Sequence, residues 1–225
     1  MTHNYCSNDD IYTKHFRVAI FGSARITKED SAWEEVYKLA HMIAAENIDI
    51  VTGGGPGVMQ AACKGHHDGR KSKETHAIGL NIKIPQEQKP NRHLDIKREF
   101  DRFSKRLDTF MVLSDAVVVA PGGVGTLLEL MYTWQLVQVK HICNIPIILL
   151  GEMWTKFLKW IEKYPLKQDF LSKKDLSRLF LAKDCYEAFS IIKKFHEGYL
   201  RGDDICLNFK KYKIETSSLL EGEKE

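Results

Sequence analysis

Glu129 is the residue around which chemistry can be built, because a glycine-rich turn stands just ahead of it. Residues 116–129 read Ala-Val-Val-Val-Ala-Pro-Gly-Gly-Val-Gly-Thr-Leu-Leu-Glu. Val117 to Ala120 has the unbroken apolar character of a strand buried on both faces, as in a parallel sheet. Gly122, Gly123 and Gly125 let the backbone turn sharply and approach a ligand without an intervening Cβ. The helix expected to start near Gly125 aims free N–H groups and its positive dipole end at one spot, which suits a phosphate. Thr126 and Glu129 lie three residues apart and share a helix face. A hydroxyl beside the phosphate and a carboxylate one turn deeper make a site for a sugar phosphate.

Two further turns repeat the arrangement. Ile48 to Val51 runs into Thr52-Gly53-Gly54-Gly55-Pro56-Gly57 and then the helical-looking Val58 to Ala62, with Pro56 expected at the first helical position. Val18 to Phe21 runs into Gly22-Ser23. One such turn is a weak signal, and the plain reading is that it only serves a tight connection. Three in one chain carry more, because ligands of open α/β sheets lie beyond the C-terminal ends of the strands. Gly22, Ser23, Gly54 and Gly55 therefore join Gly122, Gly123, Gly125 and Thr126 as candidate binding residues. The P-loop pattern is missing, and so is a well-formed dinucleotide fingerprint with its acidic partner. A mononucleotide is the expected ligand.

The elements that must position these residues can be followed along the chain. Asp101 to Leu113 reads as a helix with an apolar stripe of Phe103, Leu107, Phe110 and Met111. Arg102, Lys105, Arg106 and Thr109 line another side, ordinarily a solvated basic face. This helix feeds the strand ending at Pro121, so one of its arginines can reach the phosphate or the sugar. Ser31 to Glu46 is an amphipathic helix. His76 to Ile82, Ile96 to Phe100 and Ile145 to Leu150 read as strands, Gln86 to Asp95 as a surface loop, and Cys185 to Tyr199 as a closing helix. This alternation predicts an α/β fold, a doubly wound Rossmann-like parallel sheet flanked by helices in a single domain. The expected division is an N-terminal extension over 1–14, a catalytic domain over 15–200 and a polar tail over 201–225.

Bulk properties exclude several classes. The 225 residues, 44% of them hydrophobic, can bury one substantial core. A net charge of +3 argues for neither nucleic acid nor membrane as a partner. No apolar window is long enough for a transmembrane helix, and the polar N-terminus lacks a signal core. The five cysteines are scattered and odd in number, which argues against a disulfide framework or a structural zinc site. His66 and His67 are adjacent and cannot share a helix face, and His141 with Cys143 has no further ligands nearby. No metal and no cofactor are expected, and the expected setting is the cytoplasm.

These segments together resemble the LOG family, cytokinin riboside 5′-monophosphate phosphoribohydrolases whose bacterial members often carry the label "lysine decarboxylase". Pro121-Gly-Gly-Val-Gly-Thr-Leu-Leu-Glu129 is similar to the family's Pro-Gly-Gly-x-Gly-Thr-x-x-Glu motif. Thr52 to Met59 resembles its second glycine turn, and Ile78 to Gln88 a segment typical of its longer bacterial branch. The resemblance covers roughly residues 16–197. It implies that Glu129 and Arg106 are catalytic, that Glu87 contributes to the substrate pocket, and that the protein is a homodimer. The implied reaction is hydrolysis of the N-glycosidic bond of AMP or a cytokinin-type adenine nucleotide to free base and ribose 5-phosphate. Leu107 stands where plant members have lysine, and Asn91-Arg92-His93 where related bacterial members read Asn-Pro-Tyr, differences that bear on base specificity. The alternative is a non-catalytic carrier or sensor of a nucleotide or of a ligand like molybdenum cofactor. Decarboxylation of lysine would need a cofactor such as pyridoxal phosphate, and no lysine stands in a Schiff-base context.

Overall fold

The computed structural model describes residues 15–83 and 91–202. Seven strands and six α-helices alternate through them: β1 (Arg17–Phe21), α1 (Ser31–Ala45), β2 (Asp49–Thr52), α2 (Val58–Gly69), β3 (Ala77–Ile82), β4 (Ile96–Phe100), α3 (Phe103–Leu113), β5 (Ala116–Val119), α4 (Val124–Gln138), β6 (Ile147–Leu150), α5 (Met153–Ile161), β7 (Leu179–Ala182) and α6 (Cys185–Leu200). All strand pairs are parallel, in the order β4-β3-β2-β1-β5-β6-β7. The expected doubly wound Rossmann-like sheet in a single domain is what forms.

The central strands are apolar throughout because both their faces are covered. In β1, Val18 and Ile20 pack with Val36, Leu39 and Ile43 of α1, Ala61 and Ala62 of α2, and Ala188 and Ile192 of α6. Their neighbours Ala19 and Phe21 point the other way, into a second core with Phe110 of α3, Leu130 and Trp134 of α4, and Trp154 of α5. Residues i and i+2 of a strand share a face, so one unbroken hydrophobic word serves two cores. α6 is capped by Asp184, whose carboxylate accepts from the N–H groups of Tyr186 at 3.0 Å and Glu187 at 2.9 Å.

Most element boundaries shift by one or two residues from the expected ones. Several differences are larger. α2 starts at Val58 and Pro56 lies outside it, because Gly57 takes φ 67° and ψ −130°, a conformation no helical residue has. β7 and α5 were not expected. β7 is an edge strand whose residues are mostly half-buried, so its apolar signal is diluted. On the side of α3 that would ordinarily be a solvated basic face, Arg106, also expected at the site, and Thr109 are buried, whereas Phe103 of the expected apolar stripe is 52% exposed. Cys63 and Cys185 are free and buried, but Cys143 is disulfide-bonded, which its scattered spacing does not foretell. Among the described residues, no helix is long and apolar enough to cross a membrane.

Gly57 is a fixed point of this architecture. A Cβ there would run into the backbone of Ser23 and Ala24, on top of the positive φ. Gly57→Ala is therefore expected to cost about 3 kcal/mol, from backbone strain and collision together. Chemical denaturation of the variant reads this directly, and a midpoint unchanged from wild type would refute it.

Candidate functional site

The chain leaves β1 for α1 on one face of the sheet and leaves the adjacent β5 for α4 on the other. Such a reversal opens a crevice at the C-terminal edge of an α/β sheet. A cavity of about 600 Å³ occupies it. Its walls are Gly22, Ser23, Ala24 and Arg25 after β1, Gly53 and Met59 around the second turn, Asn81 and Ile82 at the end of β3, Phe103 and Arg106 on α3, and Gly123 to Thr126 with Glu129 on α4. The three glycine turns are stitched together by backbone bonds: Ser23 N–H donates to the Pro121 carbonyl and Val58 N–H to the Ser23 carbonyl, each at 3.0 Å.

The α4 end of the cavity is built to receive an anion. Gly123 caps the helix with no side-chain bond, so the N–H groups of Val124, Gly125 and Thr126 have no acceptor within the helix. At Gly123 and Gly125 a Cβ would meet nothing within 4 Å, so both positions border open space. Gly122 packs instead against the Thr126 side chain. The helix dipole adds positive potential at the same place.

One turn below lies a buried ion pair. Arg106 is 8% exposed. Its Nε donates to the Leu80 carbonyl at 2.7 Å, and its guanidinium stacks over the Phe110 ring at 5.1 Å. It fills the space in which a side chain at Gly53 would have to sit. Nη1 stands 3.5 Å from Oε1 of Glu129, whose side chain is 13% exposed. Burial pushes the Glu129 carboxyl up to about 7, and the Arg106 charge opposes that shift. Burial also lowers Arg106, with Glu129 acting against it. A carboxyl shifted by burial beside a specific charge partner, inside a cavity, marks a candidate functional group.

That balance has a stability consequence. Ionising a carboxyl whose folded value is raised favours the unfolded chain. Its contribution is thus complete below about 4.5 and lost as pH rises through about 7. Relative to wild type, Glu129→Gln should gain nothing near pH 4 and about 3 kcal/mol near pH 8. Paired denaturation curves at the two pH values check this, and a constant difference would contradict it.

Not every residue expected at the site lines the cavity. Gly22, Ser23, Arg106, Gly123, Gly125, Thr126 and Glu129 do, whereas Gly54, Gly55 and Gly122 are not among its walls. Gly54, at φ 72°, makes room for the Asn81 amide, and its carbonyl accepts from Asn91 N–H at 2.9 Å. Glu87 falls outside the described residues. Gly53, Met59, Asn81, Arg25 and Phe103 were missed. Gly53 opened a turn already singled out, but nothing in its spacing separates the glycine that lines from those that shape. The cations of the described lining are Arg25 and Arg106; no lysine is among them to hold pyridoxal phosphate. No group of three or more metal-binding side chains exists among the described residues. His66 is fully buried with Nε2 2.9 Å from the Ile48 carbonyl, a core role.

Known proteins resemble this chain in sequence and in fold. Residues 59–192 match the model of a family described as "Possible lysine decarboxylase". The pyrimidine/purine nucleotide 5′-monophosphate nucleosidase of Escherichia coli (strain K12) is 30% identical over 99 residues, 42% of this chain. The chain spans only 22% of that relative's length. The cytokinin riboside 5′-monophosphate phosphoribohydrolase LOG4 of Arabidopsis thaliana is 26% identical over 190 residues, covering 82% of this chain and 84% of the relative. Among solved structures, the molybdenum cofactor binding protein of Rippkaea orientalis superposes with a TM-score of 0.61 at 20% identity, covering 81% of this chain and 98% of that one. At that identity the likeness is one of fold.

Proposed function

The chain belongs to the family described as possible lysine decarboxylase, and from that premise we propose that it is a nucleoside 5′-monophosphate phosphoribohydrolase. It hydrolyses the N-glycosidic bond of AMP or a cytokinin-type adenine nucleotide. The observation that carries this reading is the buried Arg106–Glu129 pair one turn beneath a free helix N-terminus. The relatives named above as acting on nucleoside monophosphates point the same way.

The 5′-phosphate sits at the start of α4, against the N–H groups beside Gly123 and Gly125 and the Thr126 hydroxyl. Binding energy from this remote group holds the ribose over Glu129. The bond from C1′ to the base nitrogen breaks, and its electron pair leaves with the base, which takes up a proton. Positive charge develops on the ribose ring and faces the Glu129 carboxylate, in a water-poor site where a fixed charge acts strongly. Water attacks C1′ and gives up a proton, completing ribose 5-phosphate. Arg106 keeps Glu129 ionised against the pressure of burial. Glu87 is proposed as a further pocket residue, and a cytoplasmic homodimer as the working form.

The test is to incubate the purified protein with AMP and follow free adenine by chromatography. Adenine release at catalytic turnover supports the reading. If no purine or pyrimidine nucleoside monophosphate yields its base, the reading fails. Tight ligand retention without turnover would then favour a non-catalytic carrier.

A further inference from the structure

α5 and the π-helical turn after it, Glu162–Leu166, bury one side and leave an aromatic ridge on the other. Trp154 and Ile161 are in the core, but Met153, Trp160 and Tyr164 are 43%, 52% and 45% exposed. Phe157 stacks on Trp160 at 6.5 Å, and Trp160 contacts Tyr164 at 6.2 Å. The ridge is thus ordered by ring contacts, and among the described residues nothing covers these three side chains fully. Aromatic side chains exposed side by side are candidates for an interaction site.

The charge around the ridge says what would cover it. Residues 152–174 carry six exposed lysines (Lys156, Lys159, Lys163, Lys167, Lys173, Lys174) against three exposed carboxylates (Glu152, Glu162, Asp169). That excess equals the formal +3 of the whole chain, so the remaining residues sum to neutrality. The segment is thus locally basic although the whole chain is nearly balanced, as residues 92–106, with six basic against three acidic side chains, also are. Lys156 lies one α-helical turn before Trp160, and Lys163 and Lys167 lie in and just after the π-helical turn that carries Tyr164. Lys163 Nζ stands 5.2 Å over the Tyr164 ring.

We infer that this segment is a peripheral contact for an anionic lipid bilayer. Trp160 and Tyr164 are amphipathic rings suited to the headgroup boundary, and Met153 extends the ridge with a side chain that inserts but does not stack. The lysines lay their apolar stems along the surface and keep their charges at the headgroups. A single-stranded nucleic acid would also attract lysines and aromatics, but it would use stacking rings throughout and leave Met153 without a role.

The experiment is co-sedimentation of the full chain with vesicles of phosphatidylcholine alone and of phosphatidylcholine with phosphatidylserine. Binding is expected only with phosphatidylserine and should weaken as salt rises. Two variants separate the parts: Trp160→Ala with Tyr164→Ala, and Lys156→Glu with Lys163→Glu and Lys167→Glu. Each should lower the vesicle-bound fraction about tenfold or more. Circular dichroism checks that these surface changes leave the fold intact, and release of adenine from AMP in solution should be unchanged. No sedimentation with phosphatidylserine vesicles at low salt would overturn the inference. So would binding that survives both variants, or oligonucleotide binding in place of vesicle binding.

Discussion

Glu129→Gln is expected to lower the rate of base release from AMP by about a thousandfold or more while leaving the nucleotide's affinity within a few-fold. The substitution keeps shape and hydrogen-bonding capacity but removes the negative charge that faces the ribose. A thousandfold corresponds to about 4 kcal/mol of barrier. That is a reasonable demand on one charge in a site where both it and its counter-ion are almost entirely shielded from water. The phosphate contacts proposed at α4 are untouched, so binding should persist. Calorimetric titration and single-turnover assays of the variant separate the two quantities. Loss of binding together with rate would mean that Glu129 holds the ground state, and activity within tenfold of wild type would remove it from the chemistry. In the wild type, kcat/KM should rise with pH through about 7, where the carboxyl ionises.

Arg106→Ala is expected to act mainly through the same carboxylate. Removing the guanidinium strips Glu129 of the charge that opposes burial, so its carboxyl moves further above 7. The rising limb of the pH–rate profile should shift to higher pH, and kcat/KM at pH 7 should fall about a hundredfold or more. The variant also leaves the Leu80 carbonyl without the bond it accepts from Nε and opens a void beside Gly53. Arg106→Lys restores charge without the planar fork that reaches Leu80 and Glu129 at once, so only partial rescue follows. Because both residues serve one charge, losses in the double variant with Glu129→Gln should fall well short of additive. A fully additive double variant, or an unshifted profile in Arg106→Ala, would show that the arginine does something else.

The sheet was legible because its buried strands are unbroken apolar words, and Val18 to Phe21 or Val117 to Ala120 have no other reading of comparable simplicity. The site was legible where glycines and a carboxylate share a turn and the helix after it. Arg106 was harder to place from residue types alone. On a helical wheel it belongs with Arg102 and Lys105, and only the third dimension sends it inward to Leu80, Gly53 and Phe110. Which glycine lines a cavity and which merely lets Asn81 or Thr126 pack is likewise set by tertiary neighbours. β7 stayed hidden because an edge strand buries too little of itself to write a strong pattern.

Every described residue lining the cavity lies between Ile20 and Glu129. β6, β7, α5 and α6 close the sheet and its two cores but lend the cavity no wall. The two halves of the chain therefore carry different physical demands. Substitutions on the outer surface of the later half need only preserve packing, so that surface is free to acquire an address or an attachment while the chemistry upstream stays as it is.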